Sequence, residues 1–189
     1  MKKHIPVQKL ALTALFAALT AVGAWIRIPT PWSAFTLQVF FVFLAGALLG
    51  PGYGALSQAV YVGMGLVGIP VFINGGGPAY FLQPTCGFLL SYIPAAAVVG
   101  LLCGREAAPG FWRIVLACIA GLAVIYAIGL PYMALILNVY LGRDMSLRDV
   151  LWSGMLLFLP YDAVKIALAG VLARTLIPRL RKLQPKNAG

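Results

Sequence analysis

Residues 113–141 read RIVLACIAGLAVIYAIGLPYMALILNVYL. After Arg113 the run holds no charged side chain, and its apolar residues are continuous. They do not alternate as they would in a half-buried strand. About 20 apolar residues suffice to carry a helix across the hydrocarbon core of a bilayer. The run is therefore read as a membrane-crossing helix. The rest of the chain is of the same kind: 189 residues, 62% hydrophobic and 10% charged, with a mean hydropathy of +0.96. A soluble domain of this size has no use for so much apolar surface. A membrane barrel would show short alternating segments, and none occur.

The expectation is an all-α integral membrane protein with a single membrane domain over residues 1–189. Six spans fit the pattern, at about 7–26, 35–49, 53–66, 85–102, 113–141 and 150–177. The start, MKKHIPVQKLALTALFAALTAVGAWI, has the basic head and apolar run of a signal peptide. Its apolar run is longer than a usual signal core and more spans follow, so it is read as a retained first helix.

The net charge is +10, from 14 Lys and Arg against 4 Asp and Glu. In a soluble protein this would suggest nucleic acid. Here the cations sit at the ends of spans, where they report orientation. With both termini cytoplasmic, the inner side holds Lys2, Lys3, Lys9, Arg105, Arg113, Arg174, Arg179, Arg181, Lys182 and Lys186. The outer side holds only Arg27, Arg143 and Arg148. That bias places both termini inside.

Cys86, Cys103 and Cys118 lie in or beside apolar segments with no CxxC spacing and no histidine near them. They read as small packing residues, not as metal ligands or a disulfide framework. The sequence has no GxxxxGK[ST], no HExxH and no nucleophile elbow, and its one histidine is His4. An enzyme is not expected, and an ATP-driven process would need its motor on another chain.

Three connections stand out. RIPTPWSAFTLQ (27–38) carries prolines and Trp32, an expected interfacial anchor. GPGYG (50–54) is a tight inner turn. GIPVFINGGGPAYFLQPTCG (68–87) is unusually apolar for a loop. Irregular backbone at membrane depth must be covered by protein or line a cavity, so this segment is expected to fold back over the bundle.

LPYDAVKIALAG (159–170) places Asp162 and Lys165 inside the last span. A charge at the bilayer centre costs about 2.5–3.5 kcal/mol on insertion scales. Counted from Val150 along an unbroken helix, the two lie about 18 and 22 Å in. Residues three apart share a helix face. The pair is either a clasp between helices or the polar floor of a solute site. As acceptor and donor together, it suits a neutral group offering N–H on one side and C=O on the other. Asn74, beside three glycines, would add a further donor and acceptor, or simply form a turn. Gln38, Gln58, Tyr61, Tyr80 and Gln83 are additional polar handles. Ala14 and Ala18 form a small-xxx-small pair that permits close helix contact, and Ala17 with Ala21 repeats it one register along.

The run LLGPGYGALSQAVYVGMGLVGIPVFINGGGPAYFLQPTCGFLLSY, with IPTPWSAFTLQ and LPYDAVKIALA, resembles the BioY family. These are the biotin-binding S components of energy-coupling-factor (ECF) transporters. The resemblance spans roughly residues 10–174. It implies a six-helix protein of the bacterial cell membrane that captures biotin from outside. It also implies a transmembrane coupling subunit and two ATPase subunits as partners, with no cofactor and no metal on this chain. Ala14 and Ala18 match the family's AxxxA contact with the coupling subunit. Asp162, Lys165 and Asn74 match its ligand contacts, with Gln38 and Tyr80 as further candidates. For biotin's carboxylate, Arg27 and the backbone N–H groups near Gly75 are both open. Rival readings are an S component for another vitamin, a proton-coupled secondary transporter using Asp162, and a structural subunit in which the Asp–Lys pair only joins helices.

Overall fold

Proline and glycine cut the long apolar runs into elements. The computed structural model describes residues 7–29, 34–104, 106 and 108–183. Lys2, Lys3, His4, Trp32, Arg105 and Lys186 lie outside the described residues, as do the side chains of Arg181 and Lys182. Helix α1 spans Val7–Trp25. A short antiparallel hairpin follows, with β1 at Arg27–Pro29 and β2 at Ala34–Thr36, Ile28 opposite Phe35. The second span was expected to begin at residue 35. Its first residues instead pair with β1, and α2 begins at Gln38.

Helix α2 runs over Gln38–Leu66 and contains the turn expected at 50–54. Gly50 has φ 79° and ψ 179° and breaks the helix. Pro51 follows, pre-set for the first turn of a new helix. On a straight helix Gly46 and Gly54 would stand about 12 Å apart, and Gln38 and Tyr61 about 35 Å. A Cβ placed on Gly54 would in fact lie 2.9 Å from the Gly46 Cα. The Gln38 amide nitrogen lies 2.6 Å from the Tyr61 oxygen. The chain therefore reverses at Gly50, and two antiparallel arms pack with only glycine between them. The expected second and third spans are these two arms.

The segment after α2 folds back over the helix end. Phe72 pairs with Gly75, and Pro78–Leu82 makes a 3₁₀ turn. Its covering position is held from several sides. Gly77 N–H donates to the Gly65 carbonyl at 2.7 Å, and Tyr61 donates to the Val71 carbonyl at 3.3 Å. Arg27 donates to the Ile73 carbonyl, and Tyr132 to the Phe81 carbonyl at 2.6 Å. Phe72 and Tyr80 are buried beneath it.

Helices α3 (Cys86–Cys103) and α4 (Phe111–Leu135) complete the centre of the bundle. The last span is not the unbroken helix expected over 150–177. Helix α5 (Leu147–Leu151) starts with a Ser146–Asp149 capping box. A π-helical turn follows at Trp152–Leu156, and α6 begins afresh at Leu159 and continues to Leu183. Pro160 has no N–H for the carbonyl four residues back, which removes one helical hydrogen bond next to the interruption. Asp162 consequently stands in the first turn of α6. An acid is favoured at that position by the helix dipole.

Helix α2 packs on α1, α3 and α6, and α4 packs on α3 and α6. Among the described residues, five helices, with α2 counted as one, are long and apolar enough to cross a membrane. The radial pattern suits that solvent. Trp112, Leu116, Val164, Leu168 and Val171 are exposed, whereas Thr20, Gln38, Gln58, Asp162 and Lys165 are buried. The two ends also differ. The hairpin, the 68–85 segment and the start of α6 meet at one end, through Arg27, Tyr132 and Phe35 on Phe158. At the other end the Lys9 ammonium sits 5.4 Å over the Tyr53 ring, close to the Gly50 reversal.

Candidate solute-binding site

Asp162 and Lys165 are 4% and 7% exposed, although both project from a helix with an apolar outer face. Their i, i+3 spacing brings the Lys165 Nζ to 2.9 Å from Asp162 Oδ1. The second carboxylate oxygen is taken from another helix: the Tyr126 hydroxyl donates to Asp162 Oδ2 at 2.5 Å. All three side chains border one cavity of about 590 Å³, part of it open to solvent. Small-molecule sites likewise pair mostly apolar walls with a few fixed polar groups.

The walls come from every layer around the pair. Leu122, Ile125 and Tyr126 project from α4, and Phe88, Leu89 and Tyr92 from α3. Phe158 closes the side next to α6. Phe35 of β2 packs on it at 4.6 Å and stacks on Tyr161 at 4.1 Å, which fixes the hairpin against α6. Ile73 and Tyr80 reach in from the covering segment. Burial raises the Tyr80 hydroxyl above the ordinary phenol range, outweighing the opposing hydrogen bond to Thr85. It faces the cavity as a neutral group.

Gln38 lines the cavity at the start of α2 and is 1% exposed. It accepts from Thr36 at 3.0 Å and donates to Tyr61 at 2.6 Å. The hydrogen bonds thus run in one direction, from Thr36 through Gln38 and Tyr61 to the Val71 carbonyl.

Asp162, Lys165, Gln38 and Tyr80 therefore meet at one cavity. Asn74 does not line it; its side chain is exposed on the turn beside Ile73. Gln83 is also exposed, and Gln58 is sealed between α1 and α2 away from the cavity. Tyr126, Tyr92, Thr36, Thr85 and Phe158 are lining residues that sequence reasoning did not select. For Tyr126 a signal existed: with Leu122 and Ile125 it forms a stripe at helical spacing, and it carries the only hydroxyl of that stripe. On α1, Ala14 and Ala18 are exposed while Ala17 is buried. The first register is thus exposed, and the adjacent one begins with a buried residue. No group of three or more metal-ligating side chains occurs among the described residues.

Lipid-suited helices around a partly open cavity with a buried ion pair define a membrane protein built to hold a small polar solute. The comparisons with known proteins make the class specific. The BioY family matches residues 1–182, and the chain belongs to that family. It is 45% identical to the probable biotin transporter BioY of Lysinibacillus sphaericus, over 93% of this chain and 90% of that protein. It is 39% identical to the biotin transporter BioY of Thermotoga maritima, over 94% of this chain and 98% of that protein. Among solved structures it resembles the S-component for biotin from an ECF-type ABC transporter. The TM-score is 0.81 and the identity 25%, covering 98% of this chain and 96% of that one.

Proposed function

We propose that this chain is the S component that captures biotin for ATP-driven uptake across the bacterial cell membrane. The observation that carries the reading is the buried Asp162–Lys165 pair bordering a largely apolar cavity, in a family whose named members are biotin transporters. Biotin's ureido ring offers N–H donors and one C=O acceptor. Asp162 accepts from an N–H, and Lys165 donates to the carbonyl. The ring system and the aliphatic chain lie against the aromatic wall. Gln38 and Tyr80 complete the polar contacts, and Asn74 joins when the 73–77 turn closes over the ligand. Arg27 meets the carboxylate. It is tied to Ile73 at the cavity's cover and lies close enough to Tyr80 to act on it electrostatically.

The two arms of α2 count as separate crossings, which makes six in a single membrane domain over residues 1–189. Both termini face the cytoplasm. The distribution of cations supports this orientation, with Lys9, Arg113, Arg174 and Arg179 at the end away from the cavity. A transmembrane coupling subunit and two ATPase subunits supply the energy. The outward-facing Ala14 and Ala18 let a coupling helix approach α1 closely.

Calorimetry with biotin on the detergent-solubilised chain tests the reading, with Asp162→Asn and Lys165→Met measured beside the wild type. Tight wild-type binding that weakens at least about a hundredfold in each variant is expected, as for a ligand group losing a charged partner. A folded wild type that binds no biotin would sink the proposal. Unchanged binding in both variants would return the pair to a role in helix packing.

A further inference from the structure

The geometry points to Tyr126 as the positioning residue that orients the Asp162 carboxylate and makes this corner of the cavity accept only hydrogen-bond donors. The inference rests on the biotin reading above and assigns the specificity of that same site. Lys165 comes from the same helix as Asp162, one turn on, so it cannot define where the carboxylate stands relative to the other helices. Tyr126 comes from α4, and its bond to Oδ2 is the one hydrogen bond among the described residues that ties the carboxylate to a different helix. At 2.5 Å it is short, as expected for O–H donated to a carboxylate.

The direction of that bond decides what the ligand meets. A phenol has one proton, and here Asp162 holds it. What remains on the Tyr126 oxygen is lone pairs. A carboxylate has about four acceptor positions, and Tyr126 and Lys165 occupy one on each oxygen. The Tyr126–Asp162 edge therefore faces the cavity with acceptors alone, while Lys165 presents donors beside it. A ring N–H fits the first edge and a C=O the second; a ligand turned the other way sets oxygen against oxygen. A ring oxygen in place of that N–H would do the same. A site built around a buried N–H contact rejects such a replacement strongly, because its own polar groups are left unpaired.

The test uses the full chain in detergent, with Tyr126→Phe compared to wild type by calorimetry and competition. The probes are biotin and its two cyclic carbamate analogues, each with one ring N–H replaced by oxygen. Gel filtration verifies folding, and Tyr126→Met serves the same comparison if the Phe variant misfolds. Wild type is expected to reject one analogue far more than the other. In Tyr126→Phe, biotin should bind about tenfold more weakly, and the ratio of that analogue's Kd to biotin's should narrow by about tenfold, the size expected for one charge-assisted hydrogen bond. A side chain that only packs would weaken all three ligands together. An unchanged ratio therefore overturns the inference while the biotin reading stands. Complete loss of biotin binding by the folded variant also overturns it, since an orienting role leaves Asp162 and Lys165 in place. A wild type that binds no biotin removes the reading itself, and this inference falls with it.

Discussion

Two of the polar side-chain clusters buried among the described residues are built differently. Thr20, Gln58 and Ser57 lie at the contact of α1 with α2. The Gln58 amide donates to both hydroxyls, at 3.3 and 3.0 Å, and each hydroxyl donates to a carbonyl of its own helix, Phe16 and Gly54. The cluster is uncharged and does not line the solute cavity, and it leaves the Gln58 Oε1 without a partner. Asp162, Lys165 and Tyr126 form the second cluster. It carries full charges, each carboxylate oxygen has a partner, and all three side chains border the cavity. Burial of polar groups is common to both. What separates a solute site from a helix fastener is unspent hydrogen-bonding capacity facing open space.

That contrast can be broken most forcefully at the ion pair. Asp162→Leu alone leaves the Lys165 ammonium buried without its partner, which should cost about 3–5 kcal/mol of stability. Chemical unfolding in detergent measures it. Replacing both residues by leucine should recover most of that loss while biotin binding stays absent. A double variant as unstable as the single one would mean that the pair holds helices together after all.

Gln38 sharpens the contrast from an intermediate position, because it borders the cavity yet bonds mainly to Thr36 and Tyr61. Gln38→Leu should weaken biotin about tenfold, largely by freeing Tyr61, with a stability loss of about 1–2 kcal/mol. No change in calorimetric affinity would assign Gln38 to structure only.

The smallest effect is expected at Gln58. Gln58→Met removes an unpartnered buried oxygen and leaves both hydroxyls bonded to their carbonyls. Stability should change by less than about 1 kcal/mol in either direction, and biotin affinity by less than about twofold. A large affinity loss would show that the α1–α2 contact controls the site.

The spans were legible because continuous apolar runs have few other uses. The Asp–Lys pair was legible because its insertion cost demands a reason. The wall residues were not. Tyr126 borders the cavity and Tyr140, farther along the same run, is exposed. The two look alike in sequence, because a bilayer and a ligand pocket both select aromatic side chains. Asn74 is the converse case: glycines around a polar residue look like a ligand loop, and the structure leaves that residue exposed on its turn, outside the cavity lining. The break before α6 was also missed. Pro160 announces a break, but not that a π-helical turn will carry the chain to it and set Asp162 in a first turn.

Hydropathy and charge by themselves determined that this chain lives in a membrane, where its helices lie along the sequence, and which two charged side chains require an explanation. These follow from transfer free energies, which each residue carries with it. Tertiary structure alone decided that the two arms of α2 close on each other with Gly46 against Gly54, which carbonyls fasten the 68–85 segment in place, and that Tyr126 reaches Asp162 across 36 positions of chain. Those outcomes depend on close approach and hydrogen-bond direction between distant segments, and no single residue type encodes them.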